Sequence, residues 1–211
     1  MCLKTEVPMK KLAIFGGTFN PIHNGHLHLV QGFRERLGID SVMLVPSLVP
    51  PHKAAEDLAN ANDRLAMCRL AAQPHGLEVS DIELHRKGPS YTVDTLRQLH
   101  LAYPDTELYL LMGADMFLTL EQWREYKDLF RLARMCAVPR DENGRNELLS
   151  YAEKLNALGA KTHVEELSLL PISSTLVRER VKQGLPIANL VPTAVEDYIL
   201  QHHLYGGNSN G

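Results

Sequence analysis

The sequence predicts an α/β fold: a doubly wound, mostly parallel sheet with helices on both faces. Three observations lead there. Short apolar runs alternate with helical patterns over most of the chain, and strands separated by helices need crossover connections that cover a parallel sheet on both sides. At 211 residues, 45% hydrophobic and 22% charged, the chain has the length and composition of one globular core. No internal repeat or linker-like shift in composition divides it, so a single domain over 9–205 is expected.

The elements follow in order. MKKLAIFGG, starting at Met9, reads as a natural beginning, which makes 1–8 an expected upstream extension. A strand is predicted over 11–16, on the apolar run Leu12, Ala13, Ile14, Phe15, and a helix over 25–37 follows the turn GGTFNPIHNGH. SVMLV predicts a strand over 41–45. The segment 46–61, PSLVPPHKAAEDLANA, is the long irregular connection, and loops of that length in compact domains are usually functional or disordered. Helical patterns mark 62–73, 92–102, 115–132, 145–158, 174–183 and 193–203, with strands at 77–84, 107–112, 134–138 and 161–167. The tail, 206–211, is predicted to be flexible. Ligands of such sheets bind beyond the carboxyl ends of the strands where the strand order reverses, which places the GGTFNPIHNGH turn at a ligand-binding edge.

Composition narrows the function classes. A net charge of -3 offers no general basic field, so a nucleic-acid partner is not expected and small anions are better candidates. Cys2, Cys68 and Cys136 form no CxxC pair, suggesting neither a disulfide framework nor a zinc knuckle; Cys68 and Cys136 read as small buried hydrophobes. No apolar run approaches a membrane span and no signal-peptide core is present, so a cytoplasmic protein without a membrane partner is expected. The oligomeric state is left open.

Gly16 and Gly17 end the first strand without side chains, letting backbone approach a phosphate, and the helix starting near Asn24 aims free N–H groups and its dipole at the same anion. Neither GxGxxG nor a Walker lysine follows, so the phosphate chemistry is of another kind. His23 and His26 lie three apart, with His28 close behind. A metal site is one reading, but no neighbouring cysteine or acid completes a ligand set, so no protein-held metal is expected. His28, on the helix body, reads as a structural, hydrogen-bonded histidine.

His23, Asn24, Gly25, His26 resemble the HxGH signature of nucleotidylyltransferases, which move an adenylyl or cytidylyl group on a Rossmann-like fold. PISSTLVRER at 171–180 resembles the second signature of that superfamily. VPPHK at 49–53, GPSYTVDTL at 88–96, MGADMFLTLEQW at 112–123 and VPTAVEDYI at 191–199 narrow the resemblance to bacterial nicotinate-nucleotide adenylyltransferases. One departure is Asn20, where that family often has aspartate; asparagine holds the turn through its carbonyl, and any carboxylate role falls away.

The resemblance implies transfer of the adenylyl group of ATP to nicotinate mononucleotide, giving the deamido dinucleotide and pyrophosphate, with Mg2+ accompanying ATP. It implies His23, His26 and Arg178 as catalytic residues. It puts Gly16, Gly17, Thr18, Phe19, Lys53, Gly113, Asp115, Ser173, Ser174 and Thr175 on ATP, and Tyr91, Thr92 and Trp123 on the nicotinate nucleotide. Competing readings stand beside several of these: helix capping for Ser173 to Thr175 and for Asp115, a solvated surface lysine for Lys53, core packing for Trp123. A pantetheine-phosphate adenylyltransferase, a cytidylyltransferase and a catalytically silent nucleotide-binding regulator are the rival functions.

Overall fold

The computed structural model describes residues 10–48 and 57–206; Lys53, the expected extension 1–8 and residues 207–211 of the tail lie outside them. Six strands, β1 (Lys10–Gly17), β2 (Ser41–Pro46), β3 (Glu78–Val79), β4 (Thr106–Gly113), β5 (Ala133–Val138) and β6 (Thr162–Val164), form one sheet. Its order is β3-β2-β1-β4-β5-β6 and every pairing is parallel. Between them run α1 (Asn24–Leu37), α2 (Ala61–Ala72), α3 (Thr92–Ala102), α4 (Ala114–Phe117), α5 (Tyr126–Leu132) and α6 (Glu142–Ala157), followed by α7 (Ser174–Lys182) and α8 (Thr193–Gln201).

Alternation along each strand sends its side chains into two cores. In β1, Ala13 and Phe15 join the helices α1, α2, α7 and α8 on one face, while Leu12 and Ile14 join α3, α5 and α6 on the other. Both faces are dry: Ala13, Ile14 and Leu44 are at most 1% exposed, which accounts for continuous apolar runs where a half-exposed strand would alternate. Cys68 and Cys136 are buried free thiols. Strand order reverses between β1 and β4, and their pairing stops at Phe15↔Leu111, two residues before Gly17 and Gly113. The crevice between these carboxyl ends is the place where such sheets take ligands.

Three predicted elements differ most, among them the strand expected over 161–167, which spans only Thr162–Val164. The helix expected over 115–132 breaks into α4, a 3-10 turn (Leu120–Gln122) and α5. The Thr119 hydroxyl donates back to the Asp115 and Met116 carbonyls, Trp123 is extended, and Glu125 is left-handed at φ 51. Arg97 of α3 holds Glu125 and Asp128, so tertiary ion pairs fix a break that helical periodicity hides. The strand expected over 77–84 pairs only at Glu78–Val79. Beyond it Ser80 and Asp81 start tight turns, with Ile82 N–H donating to Ser80 Oγ and Leu84 N–H to the Asp81 carbonyl. Among the described residues no helix is long and apolar enough to cross a membrane.

Candidate active site

The loop after β1 is wound tightly around one aromatic ring. Phe19 is 3% exposed and left-handed at φ 47, a costly conformation for a bulky residue that persists only where its surroundings enforce it. Its ring meets Phe15 at 5.6 Å and His26 at 5.2 Å, both edge-on. The ring lies 3.0 Å from where a Gly17 Cβ would stand, so Gly17 makes room for Phe19.

His23 caps α1, and the cap is reciprocal. The His26 N–H donates to His23 Nδ1 (3.3 Å) while the His23 N–H donates to His26 Nδ1 (3.2 Å), a capping box built from two imidazoles stacked at 3.6 Å. Gly25 between them is required by this stack, because a Cβ there would stand 3.0 Å from His23 Nδ1 and 3.1 Å from its Cε1. Burial holds the His23 pKa down to about 4; burial, helped by His23, pushes that of His26 well below 6.5. Both rings are therefore neutral at neutral pH. A nitrogen that accepts an N–H carries no proton, so each ring is protonated at Nε2, and each Nε2–H is a donor without a protein partner among the described residues. Two neutral donors at a helix N-terminus, where the dipole favours negative charge, suit phosphate oxygens. His28 instead bonds the Ser168 carbonyl (2.7 Å), the structural role expected of it. Among the described residues no group of three or more His, Cys, Asp and Glu side chains converges to hold a metal ion.

The second signature is fastened to the first. Ser173 caps α7 by accepting the Leu176 N–H (3.1 Å), Ser174 Oγ donates to the Pro21 carbonyl (2.9 Å), and Arg178 donates to the Asn20 carbonyl (2.9 Å) and to Thr175 Oγ1 (3.5 Å). Arg178 Nε is buried without a partner. Capping thus accounts for Ser173, but not for Ser174 or Arg178, which tie the N-terminus of α7 to the loop after β1.

Gly113 ends β4 across the crevice and Asp115 follows it, and no atom lies within 4 Å of where a Gly113 Cβ would stand. Asp115 does not cap α4, whose N-cap is Gly113; its carboxylate pairs with Arg140, just past β5. Arg140 also lines an open cleft of about 500 Å³ with Pro139, Asp141, Glu142, Arg145, Asn146, Glu166, Leu167 and Ser168, beyond β5 and β6. Tyr91 begins α3 with no side chain capping its first N–H groups. Trp123 is half-buried and packs against the core on the α3, α5 and α6 side while keeping part of its ring exposed; its Nε1–H donates to Thr119 Oγ1 (3.2 Å). Arg124, next in sequence, lays its guanidinium 4.6 Å from the centre of the Tyr91 ring.

One residue that sequence reasoning did not place matters here, and another does more than it expected. Arg64 of α2 is 1% exposed and donates to the carbonyls of Thr18 (2.7 Å), Leu48 (3.1 Å) and Ala59 (3.1 Å). Its signal was a lone cation on the stripe shared with Cys68, Ala71 and Ala72. Asn20 holds the turn as expected, Oδ1 accepting from Ala59 N–H (3.0 Å) and Tyr205 Oη (2.9 Å), but its Nδ2 also donates to the Asp57 carbonyl (2.9 Å). An aspartate there would have no hydrogen to give.

Known proteins share this arrangement of chain. Residues 14–180 match the Cytidylyltransferase-like family model. A probable nicotinate-nucleotide adenylyltransferase of Dehalococcoides mccartyi (strain CBDB1) is 41% identical over 198 residues, covering 92% of this chain and 97% of its own. One of Desulfitobacterium hafniense (strain DSM 10664 / DCB-2) is 38% identical, covering 96% and 99%. Among solved structures, Plasmodium falciparum nicotinic acid mononucleotide adenylyltransferase complexed with NaAD superposes with a TM-score of 0.74 over 93% of this chain and 97% of that one; at 20% identity it establishes the fold. With identity near 40% sustained along almost its whole length, the chain belongs to the nicotinate-nucleotide adenylyltransferase family.

Proposed function

We infer that the protein transfers the adenylyl group of ATP to nicotinate mononucleotide, releasing pyrophosphate and forming deamido-NAD, by direct in-line displacement at the α-phosphate. The observation that carries the reading is the reciprocally capped His23/His26 pair, with two neutral Nε2–H donors at the N-terminus of α1, in the turn that follows β1. The attacking phosphate has a second pKa near 6, so at neutral pH it is mostly ionised and needs no general base. Catalysis then consists of alignment and stabilisation of charge on the transferring group, where donors fixed in advance are most effective.

In this reading His23, His26, Thr18 and Arg178 meet the triphosphate along the glycine edge Gly16–Gly17 and beside Phe19, with Ser173, Ser174 and Thr175 presenting the start of α7. Lys53 joins them from the connection before α2. Adenosine occupies the side of Gly113 and Asp115, toward the 500 Å³ cleft, a volume of the size that holds nucleoside-like ligands. The nicotinate ring stacks on Trp123, and its carboxylate takes the uncapped N–H groups at Tyr91 and Thr92. The divalent ion, Mg2+ in this reading, arrives as part of the ATP substrate, because Mg2+ keeps its waters and is usually bound through substrate phosphates. A cytoplasmic setting, where ATP is supplied, completes it.

The test is pyrophosphate release from ATP with nicotinate mononucleotide, its amide and phosphopantetheine in parallel. Turnover with the first alone is expected, and preference for phosphopantetheine or absence of turnover would overturn the reading. His26→Ala should cost roughly 100-fold to 1000-fold in kcat with ATP binding nearly intact, as for loss of a donor acting on transition-state charge.

A further inference from the structure

Position 64 lies on the stripe of α2 that buries Cys68, Ala71 and Ala72, where an apolar residue would satisfy the core. Arginine stands there instead, and burial lowers its pKa without providing a carboxylate partner among the described residues. Burying a guanidinium is costly, and apolar substitutes of similar volume often match or exceed such residues in stability. The geometry indicates what arginine supplies. Nε, Nη1 and Nη2 each donate to a carbonyl on a different segment: Ala59 just before α2, Thr18 in the loop after β1, Leu48 just past β2. A planar fork spans three acceptors in fixed directions; an ammonium cannot.

Each carbonyl leads to the site. Thr18 precedes Phe19, whose left-handed backbone places its ring against His26. Leu48 donates its N–H to Ser90 Oγ (3.2 Å), immediately before Tyr91 at the start of α3. Ala59 donates its N–H to Asn20, whose carbonyl receives Arg178. We propose that Arg64 is a positioning residue for adenylyl transfer: its fork fixes the phosphate loop, through Thr18 and Phe19, in the place that sets His26. The proposal rests on the function given above, and one of its readouts does not.

Arg64→Lys keeps the cation and loses the fork; Arg64→Met keeps the volume and loses both. Since a displacement near 1 Å at a reacting centre costs about 100-fold, kcat is expected to fall at least about tenfold in Arg64→Lys and further in Arg64→Met. The KM for nicotinate mononucleotide should move less than kcat, because only the Leu48 arm of the fork leads, through Ser90, toward its contacts at Tyr91. In side-chain NMR, the His26 ring resonances of folded Arg64→Lys should shift while those of His28, held by Ser168, stay in place. Unchanged kcat and unchanged His26 resonances overturn the proposal. So does a loss of activity that only tracks the folded fraction, or an Arg64→Lys chain that does not fold, since the fork would then be holding the core. If the wild type releases no pyrophosphate, the proposed function fails, and the NMR comparison still decides whether Arg64 sets His26.

Discussion

Replacing Gly25 by alanine separates the chemistry of the histidine pair from its contribution to stability. The new Cβ would stand 3.0 Å from His23 Nδ1, whereas ordinary contact begins at 3.4 Å, so the ring or the backbone must yield by the difference, 0.4 Å. The stack at 3.6 Å and the 3.3 Å bond from the His26 N–H leave no slack to absorb it. If 1 Å of misplacement costs about 100-fold, 0.4 Å costs roughly five- to tenfold in kcat. Stability moves little. Alanine gains about 0.5–1 kcal/mol over glycine inside a helix, and weakening the cap returns about 1 kcal/mol. Saturating kcat and Tm, measured on the same preparation, decide the matter. Full turnover by Gly25→Ala would refute the claim that His23 is held where the reaction needs it, and a collapse in Tm would show that the glycine serves the fold.

Three other outcomes follow from the same geometry. Between pH 6.5 and about 4 the unfolded chain binds a proton at His23 that the folded chain refuses, so stability is flat above this window and falls through it as pH drops, by about 3 kcal/mol in full for that gap. His23→Asn, which keeps a capping side chain, should shrink the difference in urea midpoint between pH 7 and pH 4.5; an undiminished difference would count against a buried neutral His23. Arg178→Ala removes a charge-assisted donor worth about 1.5–3 kcal/mol and should raise the ATP requirement roughly 10-fold to 100-fold, while a lowered Tm with normal ATP affinity would make the residue purely structural. Trp123→Ala should weaken the acid and amide substrates alike and leave their kcat/KM ratio roughly unchanged, because stacking does not read the carboxylate; a collapsed ratio would show that Trp123 discriminates.

The strands and helices that build the two cores were legible because apolar periodicity is a local record of burial. β1, β2, β4, β5 and α3 fall within one residue of their predicted limits at each end. The break in the helix predicted over 115–132 was not legible, since Arg97, which clamps Glu125 and Asp128, lies about thirty residues away. The two histidines stood out by type and spacing. Their capping box did not, because imidazole is an uncommon cap and the pattern carries no serine or glutamate to announce it. Arg64 was hidden for the opposite reason: a charged residue in a helix is read as solvated until its three carbonyl partners, on segments far apart in sequence, are brought to it.

The capping box also ties acid stability to chemistry through a single proton. In each neutral ring Nε2 carries the hydrogen and Nδ1 accepts a backbone N–H. A proton added to either ring can go only to Nδ1, where it meets that N–H head-on. Protonation therefore does more than add charge at the triphosphate edge: it breaks one half of the cap, leaves an amide at the start of α1 without an acceptor, and unstacks rings 3.6 Å apart. A cationic pair would attract phosphate from a distance but could not keep this geometry. Under the proposed function the fixed positive charge comes instead from Arg178, with Arg64 beneath the loop, while directional donation is left to rings held neutral. Turnover per folded molecule should consequently hold through the window in which stability falls and be lost only near pH 4, where the folded His23 takes its proton and donor geometry and helix cap go together; turnover and folded fraction followed over one pH series check this, and turnover per folded molecule that declines from pH 6.5 would refute it.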